Sequence, residues 1–326
     1  MSAAAANGSE EFDAELVVVN REEAASDVTT VTLAPPGRDT LLPEWEPGAH
    51  IDLVLGNGLV RQYSLCGDLA DRGSWRVGIL RDPSSRGGSV WIHDELKAGQ
   101  TVRVRGPRNH FRLDESPRYL FIAGGIGITP ILPMIAAANA ANAQWSLVYG
   151  GRTRASMAFL EEISGHGDRA EIRPADEFGL LDLDSVLGTP QPDTLVYCCG
   201  PGPLLDAVAR SCKAWPDGAL RVERFAAAEV EDLGDEGSRP IRLELRRSGV
   251  TLEVPGDTSI LEAVTEAGID VLSSCEDGIC GTCMTTVLDG VPLHRDSVLS
   301  EGERRACTSM LICVSRAESA HLVLDL

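Results

Sequence analysis

Three kinds of hydrophobic patterning follow one another along the chain. Up to about residue 115, apolar positions come in short alternating runs broken by turn residues. These are ELVVVNREE (15–23), TTVTLAPPG (29–37), HIDLVLGNG (50–58), LVRQYSL (59–65), SWRVGILRD (74–82) and TVRVRGP (101–107). Period-two runs at this spacing predict an antiparallel barrel or sandwich, with one helix near Ser89–Glu95 after a glycine pair. From residue 118 the pattern changes to continuous apolar runs, YLFIAGG, WSLVYGG and TLVYCCG, alternating with helical stretches such as TPILPMIAAANA, MAFLEEI and PLLDAVARSC. That βαβ rhythm predicts a parallel sheet with helices on its faces. The last segment opens with IRLELRRSGVTLEVPG, a hairpin pattern, and continues with a helix, ILEAVTEAG. Between the second and third patterns lies AAAEVEDLGDEGSRP, small, acidic and Gly/Pro-bearing, which reads as a linker. The expected division is therefore a β-barrel domain at 1–117, an α/β domain at 118–225, an acidic linker at 226–240 and a third domain at 241–326.

Length and composition agree with this. A chain of 326 residues, 43% hydrophobic and 24% charged, suits two or three globular domains. No run reaches the ~18–20 apolar residues of a membrane helix. The opening residues lack the basic start and apolar core of a secretory signal, so a cytoplasmic protein is expected. The net charge of −20 argues against nucleic acid as a partner. The charge is uneven: net −5 over residues 1–25, −4 over 226–240 and −7 over 241–326. Two readings stand side by side, a solubilising surface and an acidic docking face for a protein.

Nine cysteines in a protein of this class point to metal or redox chemistry rather than structural disulfides, and five of them fall after residue 274. Cys275, Cys280 and Cys283 form C-x4-C-x2-C, and Cys313 follows, which is the plant-type spacing for a 2Fe–2S cluster. The thiolates must converge from one compact loop, which Gly278 and Gly281 allow to turn tightly. A zinc site fits less well, because only one C-x2-C is present. Cys313, in the apolar run LICVSRA, is favoured as fourth ligand over Cys307, which sits among charges.

Two further motifs suit a flavin. Arg61-Gln62-Tyr63-Ser64 ends a strand and offers a cation, an aromatic ring and a hydroxyl together. Arg86-Gly87-Gly88-Ser89 precedes a helix, where backbone N–H groups and the helix dipole favour a phosphate; Ser89 either caps the helix or binds that phosphate. Trp91 and His93 read as packing residues. The α/β segment carries Gly125-Ile126-Gly127-Ile128-Thr129-Pro130, which is G-x-G-x-x-P at a strand-to-helix turn, with Pro130 suited to the first helical position. It also carries Cys198-Cys199-Gly200-Pro201, in which Cys198 is expected to pack, and Gly151-Arg152-Thr153-Arg154.

Taken together, CEDGICGTC, HRDSVLSEGER, LICVSRA, RQYS and CCGP resemble the phthalate dioxygenase reductase family, to which vanillate O-demethylase reductases belong. The resemblance covers nearly the whole chain. It implies a multidomain protein with an antiparallel β-barrel flavin domain, an α/β nicotinamide domain and a β-grasp ferredoxin domain. It implies FMN bound by Arg61, Tyr63, Ser64, Arg86, Gly87, Gly88 and Ser89. Phe225 reads equally as an aromatic against the flavin or as a core residue. The resemblance further implies a nicotinamide nucleotide at Gly125, Gly127, Thr129, Arg152, Cys199, Gly200 and Pro201. Asp176 and Glu177 would repel a 2′-phosphate, so NADH is expected rather than NADPH. Ser64, Thr129 and Cys199 are the expected catalytic contacts. The activity implied is electron transfer from NADH through FMN and 2Fe–2S to a terminal oxygenase. That partner is a Rieske non-haem iron protein or, as the alternative, a haem-thiolate protein. A standalone flavin reductase and a redox sensor are the rival classes. No nucleic acid or membrane partner is expected.

Overall fold

The computed structural model describes residues 11–37, 39–83, 86–226, 239–299 and 301–326. The expected acidic linker lies largely outside the described residues. The chain forms two compact units: the residues up to Cys198 with Ala214–Arg221, and Cys199–Lys213 with Val222–Leu326.

In the first unit, the alternating runs become β1 (Asp13–Ala25), β2 (Val28–Ala34), β3 (His50–Val54), β4 (Val60–Ser64), β5 (Trp75–Leu80) and β6 (Thr101–Arg108), with α1 (Gly88–Glu95) between β5 and β6. They make one sheet in the order β4-β3-β6-β1-β2-β5. Every pair in it is antiparallel. A bridge from Leu65 to Val77 joins the two end strands and closes the barrel. Alternation puts one face of each strand inside, so Val31, Leu33, Ile51, Leu53 and Val77 are fully buried. Helix α1 covers the barrel with Ile92 buried, and Trp91 packs against the core.

The βαβ segment gives β7 (Arg118–Gly124), α2 (Ile131–Ala140), β8 (Gln144–Gly151), α3 (Leu160–Ser164), β9 (Ala170–Pro174), α4 (Ala175–Phe178), α5 (Leu183–Leu187), β10 (Thr194–Cys199), α6 (Gly202–Ser211) and β11 (Leu220–Glu223). The sheet order is β11-β10-β7-β8-β9, with β7, β8 and β9 parallel. The order reverses at β7, so the carboxyl end of β7 is the topological switch point, the usual ligand position in open α/β sheets. Phe121, Ile122 and Tyr149 are fully buried, as continuous apolar strands of a two-sided sheet should be.

The second unit contains β12 (Ile241–Leu245), β13 (Val250–Val254), α7 (Ile260–Glu266), β14 (Met284–Asp289), β15 (Pro292–Leu293), α8 (Glu301–Ala306), β16 (Ser309–Leu311), β17 (Arg316–Ala317) and β18 (His321–Leu324). Its main sheet runs β13-β12-β18-β14-β16. β12 pairs antiparallel with β13, as the hairpin pattern predicts, and parallel with β18. Helix α7 starts at Ser259, whose side chain accepts from the Glu262 N–H, and it buries Ile260, Leu261 and Val264. A mixed sheet crossed by one helix is the β-grasp arrangement. Among the described residues, no helix is long and apolar enough to cross a membrane.

Candidate redox sites

Register places the RQYS motif on β4, paired with β3 so that His50 faces Ser64 and Ile51 faces Tyr63. Arg61 and Tyr63 share one face of the strand. Gln62 lies on the other and donates to the Asp52 carboxylate at 2.9 Å, so its role is in the barrel. Burial pushes the Tyr63 phenol up, which keeps it a neutral hydroxyl. The Arg61 side chain crosses to the start of α1, where Nη2 donates to the Arg86 carbonyl at 3.4 Å. A Cβ at Gly88 would stand 2.6 Å from Arg61 Cγ and Nε, so only glycine lets the stem lie against the helix start. Arg61, Arg86, Gly87 and Gly88 are thus brought together, as a phosphate cradle requires.

Two details differ from expectation. The helix begins one residue earlier, at Gly88, with Gly87 as a left-handed N-cap that makes no side-chain cap. Ser89 is inside the first turn and its hydroxyl accepts from the Asp82 N–H at 3.1 Å, so it does not cap the helix. Trp91 and His93 are packing residues as expected: Trp91 lies against Gly56, and His93 Nε2 is 3.0 Å from the Ile79 carbonyl oxygen.

The G-x-G-x-x-P turn follows β7 at the switch point. It is a 3-10 turn, Gly125–Ile128, and Pro130 is the N-cap of α2 rather than its first residue. Thr129 is buried and its hydroxyl donates to the Ile126 carbonyl at 2.9 Å. Its methyl faces the barrel: a Cβ at Gly78 of β5 would be 2.8 Å from Thr129 Cγ2. Sequence reading did not single out Gly78, because a glycine inside a strand signals close approach without saying what approaches. Gly127 is buried beside Ile128. At the end of β8, the Arg152 carbonyl accepts from the Asp176 N–H at 3.1 Å, which joins those two positions. Arg154 makes a two-pronged pair with Glu177 at 3.0 and 2.8 Å.

In the second unit, Cys199, Gly200 and Pro201 lead into α6, with Pro201 as its N-cap. Cys198 and Cys199 are both fully buried. The Cys199 thiol donates to Glu223 Oε2 at 3.9 Å. Burial raises the Glu223 carboxyl to about 8, with the Cys199 contact pulling the other way. Glu223 was missed from sequence; its only signal is the one acidic residue in the β-patterned LRVERF. The sign of its effect follows from linkage. Between its ordinary value of 4.5 and about 8, the folded protein holds a proton that the unfolded chain has released, so stability falls as pH rises through that window. Glu223→Gln stays neutral at every pH and is expected to flatten this slope, which thermal melts at pH 5, 6, 7 and 8 will show. Phe225 is 39% exposed, which removes the core reading.

Cys275, Cys280, Cys283 and Cys313 are all buried, whereas Cys307 is partly exposed, has a left-handed φ of 53° and donates its thiol to the Arg304 carbonyl. The four buried free thiols fall into two hydrogen-bonded pairs, Cys275 with Cys280 and Cys283 with Cys313. In each pair one thiol is raised and its partner lowered, because one sulfur donates to the other. Two pairs of cysteine sulfurs are what two irons, each needing two protein sulfurs, demand. Among the described residues, no point gathers three candidate ligands for a single ion. Backbone N–H groups already face the sulfurs: Asp277 donates to Cys275 at 3.3 Å and Thr282 to Cys280 at 3.5 Å. Gly278 has φ +70°, and a Cβ there would be 2.5 Å from Val314 and 3.2 Å from the Asp296 Cα. Cys313 does not lie on a strand, as expected from LICVSRA; it occupies the turn between β16 and β17. The residues present therefore fit a 2Fe–2S cluster.

Comparison with known proteins agrees. Residues 243–318 match the 2Fe-2S iron-sulfur cluster binding domain, and residues 121–174 match the oxidoreductase NAD-binding domain. The chain is 43% identical over 304 residues to the phenoxybenzoate dioxygenase subunit beta of Ectopseudomonas oleovorans, covering 93% of this chain and 94% of that one. The solved structure of phthalate dioxygenase reductase, described as modular for electron transfer from pyridine nucleotides to [2Fe-2S], superposes with a TM-score of 0.70 at 36% identity, covering 96% of this chain and 98% of that one. The chain belongs to the phthalate dioxygenase reductase family. It is an oxidoreductase of that family, and its cofactors are FMN, a nicotinamide nucleotide and a 2Fe–2S cluster. A third similarity is to an intact type IV self-sufficient cytochrome P450 monooxygenase, with a TM-score of 0.90 at 44% identity; this reductase spans 41% of that longer chain and 96% of its own.

Proposed function

We propose that this reductase takes a hydride from NADH onto FMN at the barrel, passes single electrons to the cluster, and delivers them to a Rieske non-haem iron oxygenase acting on an aromatic compound. A flavin accepts two electrons together and releases them one at a time, which the nicotinamide and the cluster cannot do for each other. The observation that carries the reading is the pair-wise set of four buried thiols in the same chain as the G-x-G-x-x-P turn. Arg61, Arg86 and the Gly87–Gly88 helix start hold the phosphate, and Tyr63 and Ser64 meet the flavin ring. Gly125, Gly127 and Thr129 are proposed contacts of the nicotinamide nucleotide, and so are Cys199, Gly200 and Pro201. Phe225 is a proposed flavin contact. Arg152 and Asp176 hold the adenosine side. Glu177 already neutralises Arg154, which leaves little cationic attraction for a 2′-phosphate and favours NADH. The three-part division at 117, 225 and 240 goes with these roles. Cytoplasmic residence is supported by nine free cysteines.

A haem-thiolate partner is the second reading, favoured by the self-sufficient cytochrome similarity. Mixing the NADH-reduced holoprotein with a Rieske oxygenase and, separately, with a haem-thiolate oxygenase in a stopped-flow instrument decides between them. Reduction of the haem protein alone would overturn the Rieske assignment.

The acidity of the cluster domain adds a test of how the partner docks. Glu276 is exposed inside the cluster loop and Asp277 is partly so. Charge steering of a basic patch makes association depend on ionic strength. The second-order rate of oxygenase reduction is expected to fall steeply between ~10 and ~300 mM salt as the Debye length shrinks from about 30 Å to a few ångströms. Reduction of the flavin by NADH should change much less, and Glu276→Gln/Asp277→Asn should flatten the oxygenase curve. A flat wild-type curve would leave the acidity as solubilising charge.

A further inference from the structure

Strand β5 carries a cluster that holds no cofactor. Arg76, two residues before Gly78, sends its guanidinium in three directions. Nε and Nη2 donate to the Cys66 carbonyl at 3.2 and 2.7 Å. Nη1 and Nη2 donate to the two carboxylate oxygens of Glu162 in α3 at 2.8 and 3.1 Å. Its Cζ lies 5.2 Å above the Phe159 ring. Each contact has a different base. Cys66 follows Leu65, the barrel-closing bridge residue, and lies two residues beyond Ser64. Glu162 and Phe159 belong to the nicotinamide-binding lobe.

Phe159 is itself held unusually. It caps α3 with φ 62° and ψ 23°, a left-handed conformation that a bulky aromatic rarely adopts. The Tyr149 hydroxyl donates to the carbonyl of the preceding residue, Ala158, at 3.2 Å, and so fixes that turn from β8. The ring thereby reaches the barrel: a Cβ at Gly78 would be 3.3 Å from Phe159 Cζ and 2.8 Å from the Thr129 methyl. Arg76 and Gly78 point to the same side of β5, so one strand face meets the ion pair, the ring and the threonine in sequence.

Stability alone accounts poorly for this arrangement. The Glu162 side chain is 47% exposed, and ion pairs in such surroundings contribute little. Residues kept in sparsely populated backbone conformations are those whose surroundings over-determine them. Here the surroundings are the join between the flavin strand and the turn that carries Thr129. We propose that Arg76, with Glu162 and Phe159, is a positioning residue for hydride transfer: it fixes the distance between the flavin-bearing strands and the G-x-G-x-x-P turn. The inference rests on the placement of FMN and NADH given above. Reaction from a bound pair is steep in geometry, because misplacement by about 1 Å costs on the order of a hundredfold in rate.

The test uses the holoprotein under anaerobic conditions, with Glu162→Gln, Arg76→Gln and the double variant. Glu162 is at the surface, so its variant folds whether or not Arg76→Gln does. The limiting rate of flavin reduction by NADH is expected to fall about tenfold in each single variant, a partial misplacement on the same scale. The double variant should be no slower than either single one, since the two act as a pair. NADH affinity should change little. The long-wavelength charge-transfer absorption between nicotinamide and flavin should weaken, a readout that a merely structural role would not move. A wild-type limiting rate and charge-transfer band in Glu162→Gln would overturn the proposal. So would a loss confined to NADH affinity, or multiplicative effects in the double variant. A wild-type protein that contains flavin but is not reduced by NADH would overturn the underlying reading as well.

Discussion

Cys313→Ser is expected to remove the 2Fe–2S cluster, while Cys307→Ser leaves it in place. Cys313 is buried and hydrogen-bonded to Cys283. Cys307 is turned away to the Arg304 carbonyl. Serine replaces a soft thiolate by a hydroxyl that stays protonated near neutral pH, so one iron loses half of its protein sulfur. Loss of an outer hydrogen bond to a metal site already costs about 10–100-fold in affinity or activity, and loss of a ligand exceeds that. Oxygenase reduction in Cys313→Ser should therefore drop by ~100-fold or more, whereas NADH-driven ferricyanide reduction through the flavin persists. Iron and acid-labile sulfide analysis, with the visible spectrum, checks the result. A cluster retained in Cys313→Ser and lost in Cys307→Ser would reverse the ligand assignment.

The cluster ligands were legible because their chemistry is written locally. Three of the four lie within nine residues, and no tertiary information is needed to see C-x4-C-x2-C. The strands of the barrel were legible for a similar reason: period-two alternation fixes which face is buried, and RQYS falls on β4 with Arg61 and Tyr63 on one side. Sequence did not reveal what depends on two distant segments meeting. Gly78 shows only as a glycine in a strand until Thr129, fifty-one residues on, is seen against it. Glu223 looks like an ordinary strand-end charge until Cys199 is placed at its carboxylate. Of the two readings of Ser89, the helix cap is removed only by a contact that neighbouring sequence does not show, its hydroxyl accepting from the Asp82 N–H. Cys313 was placed on a strand because ICV is apolar and β-branched, yet the chain must turn there to present sulfur to Cys283.

Gly88→Val is expected to produce a protein that purifies without FMN. The Arg61 stem occupies the space beside Gly88, with a new Cβ 2.6 Å from both Cγ and Nε and 3.0 Å from Cδ. Contacts that short force the stem aside, and the guanidinium moves with it. The β-branch also covers the N–H groups of the first turn, which are the donors a phosphate needs. Charge-assisted hydrogen bonds are about twice as strong as neutral ones, so the bound phosphate loses both its cation and part of its cradle. A ~100-fold weakening of FMN binding, about 2.7 kcal/mol, is the expected scale. Arg61→Ala, which removes the cation and leaves the helix start open, should weaken binding by less. Titrating apoprotein with FMN and following the quenching of flavin fluorescence measures both. The cluster absorption should survive in each variant, since the four thiols lie in the other unit. Full retention of FMN by Gly88→Val would place the phosphate elsewhere and sink the cradle formed by Arg61 and the start of α1.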